Sequence, residues 1–365
     1  MPVDWPHIRS QFPALQHWTF LNTATFGQLP LRVKAGVDAH FARRDELACH
    51  DFVEWFDDMD QLRVQLGTML RCDPRGVAFI PNAGFALSTL LGRLDWRAGD
   101  QIVTLTHEFP NHYYYPAWLQ RDGVELIETP FERFYETLTA KTRVVAISTM
   151  NYSTGFRPPL EKMAAELRRR GILLYLDATQ GIGALDYDLS VLQPDVFAAN
   201  GYKWLLSPPG AAFMVITPEL RERLDPLSIG WRSDAGWRSV ESLNHEAPVF
   251  EASGARYESG MLSFPSLYGM AEAVNMALEI GVPQIEQRIL QLAALACELL
   301  RERGAEIAHS DTPIVCARFP DRDASEIAAT LKDHRILVAA RHGHLRVSPH
   351  YYNNEADLQA LAAAL

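Results

Sequence analysis

Leu173-Leu174-Tyr175-Leu176-Asp177-Ala178-Thr179-Gln180 and, with its lysine 26 positions beyond Asp177, Phe197-Ala198-Ala199-Asn200-Gly201-Tyr202-Lys203-Trp204-Leu205 decide how this chain folds. Each is a short apolar run that stops at polar residues. Near-continuous apolarity over so few residues fits a strand covered on both faces. Runs of the same kind recur at 77–80, 102–105, 124–127, 144–147 and 211–216. Between them lie segments such as 160–170, with apolar residues at helical spacing and charges opposite. Strand–helix alternation predicts an α/β fold with a mostly parallel, seven-stranded sheet. Only nine residues separate Ala199 from Pro209. That is short for a parallel crossover, so the last strand is expected to run antiparallel.

In such sheets ligands bind beyond the carboxyl ends of the strands. The polar residues there are Asn82, His107, Glu108, Asn151, Asp177, Asn200 and Lys203. A lone lysine after a strand is ordinarily solvated, and a lone Asp ordinarily caps the next helix. Their conjunction, with Gln180 and Tyr202 beside them, is what an aldehyde cofactor with a pyridine ring requires. The amine forms a Schiff base with the aldehyde. The carboxylate keeps the ring nitrogen protonated, so that the ring accepts electrons from a substrate carbanion. The pair therefore points to pyridoxal 5'-phosphate.

The bulk properties bound the reading. A chain of 365 residues suits two domains. We expect a large domain over 17–257 and a smaller α+β domain from 1–16 with 258–365, where long amphipathic helices at 266–280 and 282–303 precede short strands. Hydrophobic residues make up 48% and charged residues 22%, as in globular proteins. A formal net charge of −11 argues against nucleic acid or an anionic membrane as partner. The four cysteines form no CxxC pair, so no metal site is expected. The N-terminal residues do not resemble a secretory signal, and no uncharged stretch reaches the ~20 residues of a membrane helix. The cytoplasm is the expected location. A nicotinamide dehydrogenase would share the alternation but needs a G-x-G-x-x-G after its first strand, and none is present.

The combination Asp177-x-x-Gln180 with Asn200-Gly201-Tyr202-Lys203 resembles the class V aminotransferase family of fold-type I pyridoxal-phosphate enzymes, which includes cysteine desulfurases, kynureninases and isopenicillin-N-epimerase-like proteins. The likeness runs from Phe20-Leu21-Asn22-Thr23-Ala24 to the final helix. It implies that Lys203 carries the cofactor and later moves a proton at Cα. Asp177 would pair with the pyridine nitrogen, and Gln180 would reach the ring's phenolic oxygen. Asn200 and Tyr202 match positions that contact the phosphate. The turn Asn82-Ala83-Gly84-Phe85 opens a helix, where free amides attract an anion; Ala83 and Gly84 are its binding candidates. Phe109 would stack on the ring, and the loop beginning at Asn151 would line it. Arg346, in Leu345-Arg346-Val347-Ser348, resembles the arginine that clamps the substrate α-carboxylate, a planar group suited to a guanidinium fork. Asn22 resembles the substrate entrance. The resemblance also implies a homodimer acting on a small amino acid.

Three departures bear on the outcome. Gly84-Phe85 stands where relatives carry a threonine, and Met261 stands where they carry one that reaches the partner's phosphate; Ser263 is the nearest substitute. Residues 338–345 hold no cysteine, which argues against a persulfide route. His342 and His344 lie there instead, either an acid–base group or solvated loop residues. Aminotransferase chemistry is the first expectation, and lyase or epimerase chemistry the second. A non-catalytic homologue is the remote third, since it has no reason to keep Asp177, Gln180, Lys203 and Arg346.

Overall fold

The computed structural model describes residues 3–239, 241 and 245–365. Seven strands form the central sheet: β1 (Val77–Ile80), β2 (Gln101–Leu105), β3 (Glu125–Thr129), β4 (Thr142–Ser148), β5 (Leu173–Asp177), β6 (Val196–Asn200) and β7 (Ala212–Ile216). Their order is β1-β7-β6-β5-β4-β2-β3. All neighbours run parallel except β7, which is antiparallel to both β1 and β6. The short link before β7 leaves no room for a crossover helix, so the chain turns back on itself.

Alternate residues of these strands feed two apolar layers. Val103, Val145, Leu174, Phe197 and Phe213 face α2 (Glu54–Leu70) and α5 (Leu160–Arg170). Ile102, Val144, Tyr175, Ala198 and Met214 face α3 (Ala83–Arg93). Burial on both faces is why the strands read as unbroken apolar runs. The helices carry their own end signals. In α5, Glu161 lies in the first turn, Arg168, Arg169 and Arg170 in the last, and Gly171 at φ +68° ends it. These charges complement the helix dipole, and glycine takes the left-handed cap without strain.

A smaller body holds α7 (Val282–Glu302), α8 (Ala324–Asp333), α9 (Glu355–Ala363) and a four-stranded antiparallel sheet. Its strands are β8 (Glu306–Ile307), β9 (Val315–Arg318), β10 (Ala339–Arg341) and β11 (His344–Val347), in the order β10-β11-β9-β8. The N-terminal segment docks here through the Arg9–Asp357 ion pair and the Phe12–Tyr352 ring contact. The docking continues to Thr19–Phe20, which pairs in parallel with Ile336–Leu337. Helix α6 (Phe264–Ile280) packs instead with the large body. Its Phe264 meets Trp55 and Phe56, and its Glu272 ion-pairs with Arg32 of α1 (Leu31–Leu47).

Candidate active site

The carboxyl ends of β1, β2, β4, β5 and β6 lie along one edge of the sheet, and the singled-out residues gather there. Asp177 ends β5, and Ala198 of β6 is its register partner. Asp177 is buried, and one oxygen accepts from the amide of Thr179. Lys203 follows β6 by three residues and is only 9% exposed. Its peptide is tightly held. Gly27 donates its amide to the carbonyl of Tyr202, and any side chain at Gly27 would collide with the carbonyl of Lys203. Leu206, at φ +60°, completes the turn, a strained conformation of the kind that collects at active sites.

Burial is the main force lowering the Lys203 amine from its ordinary range to about 8. The Asp177 carboxylate opposes the shift, while the cations of Arg346 and Arg341 add to it. A buried amine that loses its proton near neutrality is suited to nucleophilic attack on an aldehyde. The Phe109 ring lies 5.7 Å from this amine and packs edge-on against Tyr152. The residue before it, Glu108, is pinned: its oxygens accept from the amide (2.7 Å) and hydroxyl (2.5 Å) of Ser148.

Gln180 is engaged at both ends. It donates to the carbonyl of Ala24 and accepts from the indole of Trp204. One amide hydrogen remains for a ligand. Asn200 accepts from the Ala83 amide and donates to Thr179, so it ties the start of α3 to the end of β5. The Tyr202 ring lies 4.8 Å from that of Phe26, tilted by 39°, and 5.8 Å from the Lys203 amine. Asn151 is a loop brace. It accepts from Ser153 and Thr154 and donates to the carbonyl of His107. At Gly84 a side chain would press on Asn82 and Asn111. Its absence leaves the start of α3 open to a hollow of about 560 Å³. Met261 is 56% exposed, and the Ser263 hydroxyl donates to Ser266.

Arg346 comes from the smaller body and is 1% exposed. It donates to the carbonyl of Tyr152, to the Thr25 hydroxyl and, at 3.4 Å, to Asn22. Burial and the neighbouring Arg341 cation depress it to about 10, so it remains charged at neutral pH. Thr25 and Tyr152 were not foreseen as its partners. Each stands within six residues of a site residue, but no motif marks it. His342 meets the Tyr152 hydroxyl at 3.1 Å, and His344 turns back onto the carbonyl of His342.

The donor set fits pyridoxal phosphate: a buried amine, a carboxylate on the adjacent strand end, an aromatic ring beside the amine and an open helix start. This fold and this edge define a pyridoxal-phosphate-dependent enzyme of amino-acid chemistry. Residues 43–361 match the family model described as Aminotransferase class-V, and the chain belongs to that family. It is 25% identical to the uncharacterized aminotransferase YcbU of Bacillus subtilis, covering 96% of this chain and 94% of the relative. It is 27% identical to isopenicillin N epimerase of Streptomyces clavuligerus, covering 100% and 98%. Among solved structures, the cystine C–S lyase C-DES in complex with cysteine persulfide matches with a TM-score of 0.89 at 23% identity, covering 97% and 98%. The cysteine desulfurase CsdA from Escherichia coli matches with a TM-score of 0.89 at 20% identity, covering 100% and 98%.

Proposed function

We propose that this enzyme is a cytoplasmic, homodimeric aminotransferase of small amino acids. The observation that carries the reading is the buried Lys203 amine at the sheet edge, facing the Asp177 carboxylate and the Arg346 cation. When bound, pyridoxal phosphate supplies an electron sink for a carbanion at Cα. Lys203 holds and then moves the Cα proton. Asp177 keeps the pyridine nitrogen protonated. Arg346, oriented by Thr25 and the Tyr152 carbonyl, receives the α-carboxylate. Phe109 and Tyr202 shield the amine from water.

The dimer rests on exposed apolar side chains near the start of α3. Tyr114 and Trp118 of α4 (Asn111–Leu119), which line the hollow beside Gly84, are 72% and 59% exposed. Such surface is costly to leave in water and marks protein interfaces. Among the described residues no helix is long and apolar enough to cross a membrane.

Epimerase or lyase chemistry is the second reading, supported by the full-length likeness to isopenicillin N epimerase. A persulfide route is disfavoured at the thiol nearest Arg346. Cys316 is buried, donates to the carbonyl of Ser153, and is pushed up to about 12 by that burial, so it supplies little thiolate. The test is an amino-acid panel with and without keto-acid acceptors. Amino transfer to an acceptor supports the first reading. Acceptor-independent loss of chirality or release of a side-chain fragment supports the second.

A further inference from the structure

Arg341 is the cation near the site that the proposed chemistry leaves unused. It ends β10, beside β11, which carries Arg346. In the register Ala339 lies opposite Arg346 and Arg341 opposite His344. Residues two apart on a strand share a face, so Arg341 and Arg346 are diagonal neighbours on one face, with Cα atoms roughly 7–8 Å apart. Like charges so placed repel. No carboxylate relieves the repulsion, because neither arginine forms an ion pair among the described residues. Among the described residues Arg341 donates only to the adjacent carbonyl of Ala340, and the buried Nε of Arg346 has no partner. Both cations act on Lys203, against the single anion Asp177. This occurs in a chain of net charge −11, where acidic partners are plentiful elsewhere.

The substituents of a substrate α-carbon account for the arrangement. The nitrogen and the hydrogen belong to the Lys203 side of the site. The α-carboxylate belongs to the buried Arg346. The side chain is left to the rim of the site, where the half-buried Arg341 stands. There the Tyr152 hydroxyl and the His342 imidazole, 3.1 Å apart, add further hydrogen-bonding groups.

We propose that the substrate is a dicarboxylic amino acid, with its side-chain carboxylate received by Arg341 beside the Tyr152–His342 pair. The proposal rests on the reading of the site as one for amino acids. It names the class within that reading.

The test measures dissociation constants of L-glutamate, L-aspartate, L-glutamine, L-asparagine and L-norvaline by calorimetry and by the visible spectrum of the protein loaded with pyridoxal phosphate. Wild type should bind each acid about tenfold to a hundredfold more tightly than its amide, the range of a charge-assisted hydrogen bond. Arg341→Gln should bring the acid-to-amide ratio close to one, and Arg341→Lys should restore much of it. Arg346→Ala should weaken acid and amide alike. A wild-type ratio near one overturns the proposal, and so does an equal loss for acid and amide in Arg341→Gln, which would place both arginines on the α-carboxylate. If none of the five binds wild type, the amino-acid reading falls as well. Binding of the neutral ones without preference for the acids removes the present inference alone.

Discussion

Arg346 donates to the backbone carbonyl of Tyr152 across 2.7 Å, although 194 residues separate the two in the chain. The bond joins the smaller body to the loop after β4 and orients the guanidinium by a group that no side-chain substitution removes. Thr25 holds its second nitrogen, so the cation is preorganised before any substrate arrives.

Arg346→Ala should therefore weaken amino-acid binding and leave the cofactor's visible spectrum unchanged. A hydrogen bond to a charged group is worth about 1.5–3 kcal/mol, or one to two powers of ten in affinity. An amine lacking the α-carboxylate should lose less, because it never used the clamp. Spectral titration with a matched amino acid and amine checks this, and an equal loss for both would move the carboxylate elsewhere.

The depressed Lys203 amine makes a prediction about stability. Its folded value of about 8 lies below the ordinary 10.5, so the unfolded chain binds more protons between these two values. Stability of the cofactor-free protein should then rise with pH through that window. Below pH 8 the buried charge opposes folding by at most about 3 kcal/mol, at 1.36 kcal/mol per unit. Lys203→Met should be more stable than wild type at pH 7, with the difference shrinking by pH 10.5. Denaturant unfolding at several pH values measures it, and a difference independent of pH would contradict the burial argument. The same variant should lack turnover and take no label on borohydride reduction.

Asp177→Asn should retain some cofactor but slow Cα hydrogen exchange by orders of magnitude. The amide cannot keep a pyridine nitrogen protonated. Exchange in deuterated water, followed by mass spectrometry, reads this directly. Wild-type rates would remove the assigned role.

Trp118→Asp should give a monomer with little change in fold. The side chain is 59% exposed, and exposed substitutions usually change stability by no more than about 0.5 kcal/mol. Sedimentation velocity distinguishes the states. An unchanged dimer would shift the interface away from this patch, and a fully active wild-type monomer would refute the dimer itself.

The sheet was legible because a strand covered on both faces reads as a short unbroken apolar run, which is a local property of the chain. Runs such as 172–176 and 196–199 announce strands whatever lies elsewhere, and their polar ends mark the ligand edge. The nine residues before Pro209 were enough to foresee the reversed β7. Asp177, Lys203 and Arg346 stand out as candidates because each sits in a recognisable local string. Other features were not legible, because their partners are remote in the chain. Gln180 reads as a ring contact, and the sequence does not show that Ala24 and Trp204 brace its two ends. Asn151 reads as a site-lining residue, and its amide also donates to the carbonyl of His107, 44 positions away. Helix α6 reads as the opening of the smaller body, but its Phe264 completes an aromatic cluster with Trp55 and Phe56. The sequence by itself determined the strands and the family likeness, and marked Asp177 and Lys203 as candidates, since short apolar runs and short motifs carry these. Only the tertiary structure decided which acceptors orient Arg346, and that Arg341 stands beside it without a counter-ion among the described residues. Strand register and loop closure bring residues hundreds of positions apart within hydrogen-bonding reach, and no local pattern encodes that distance.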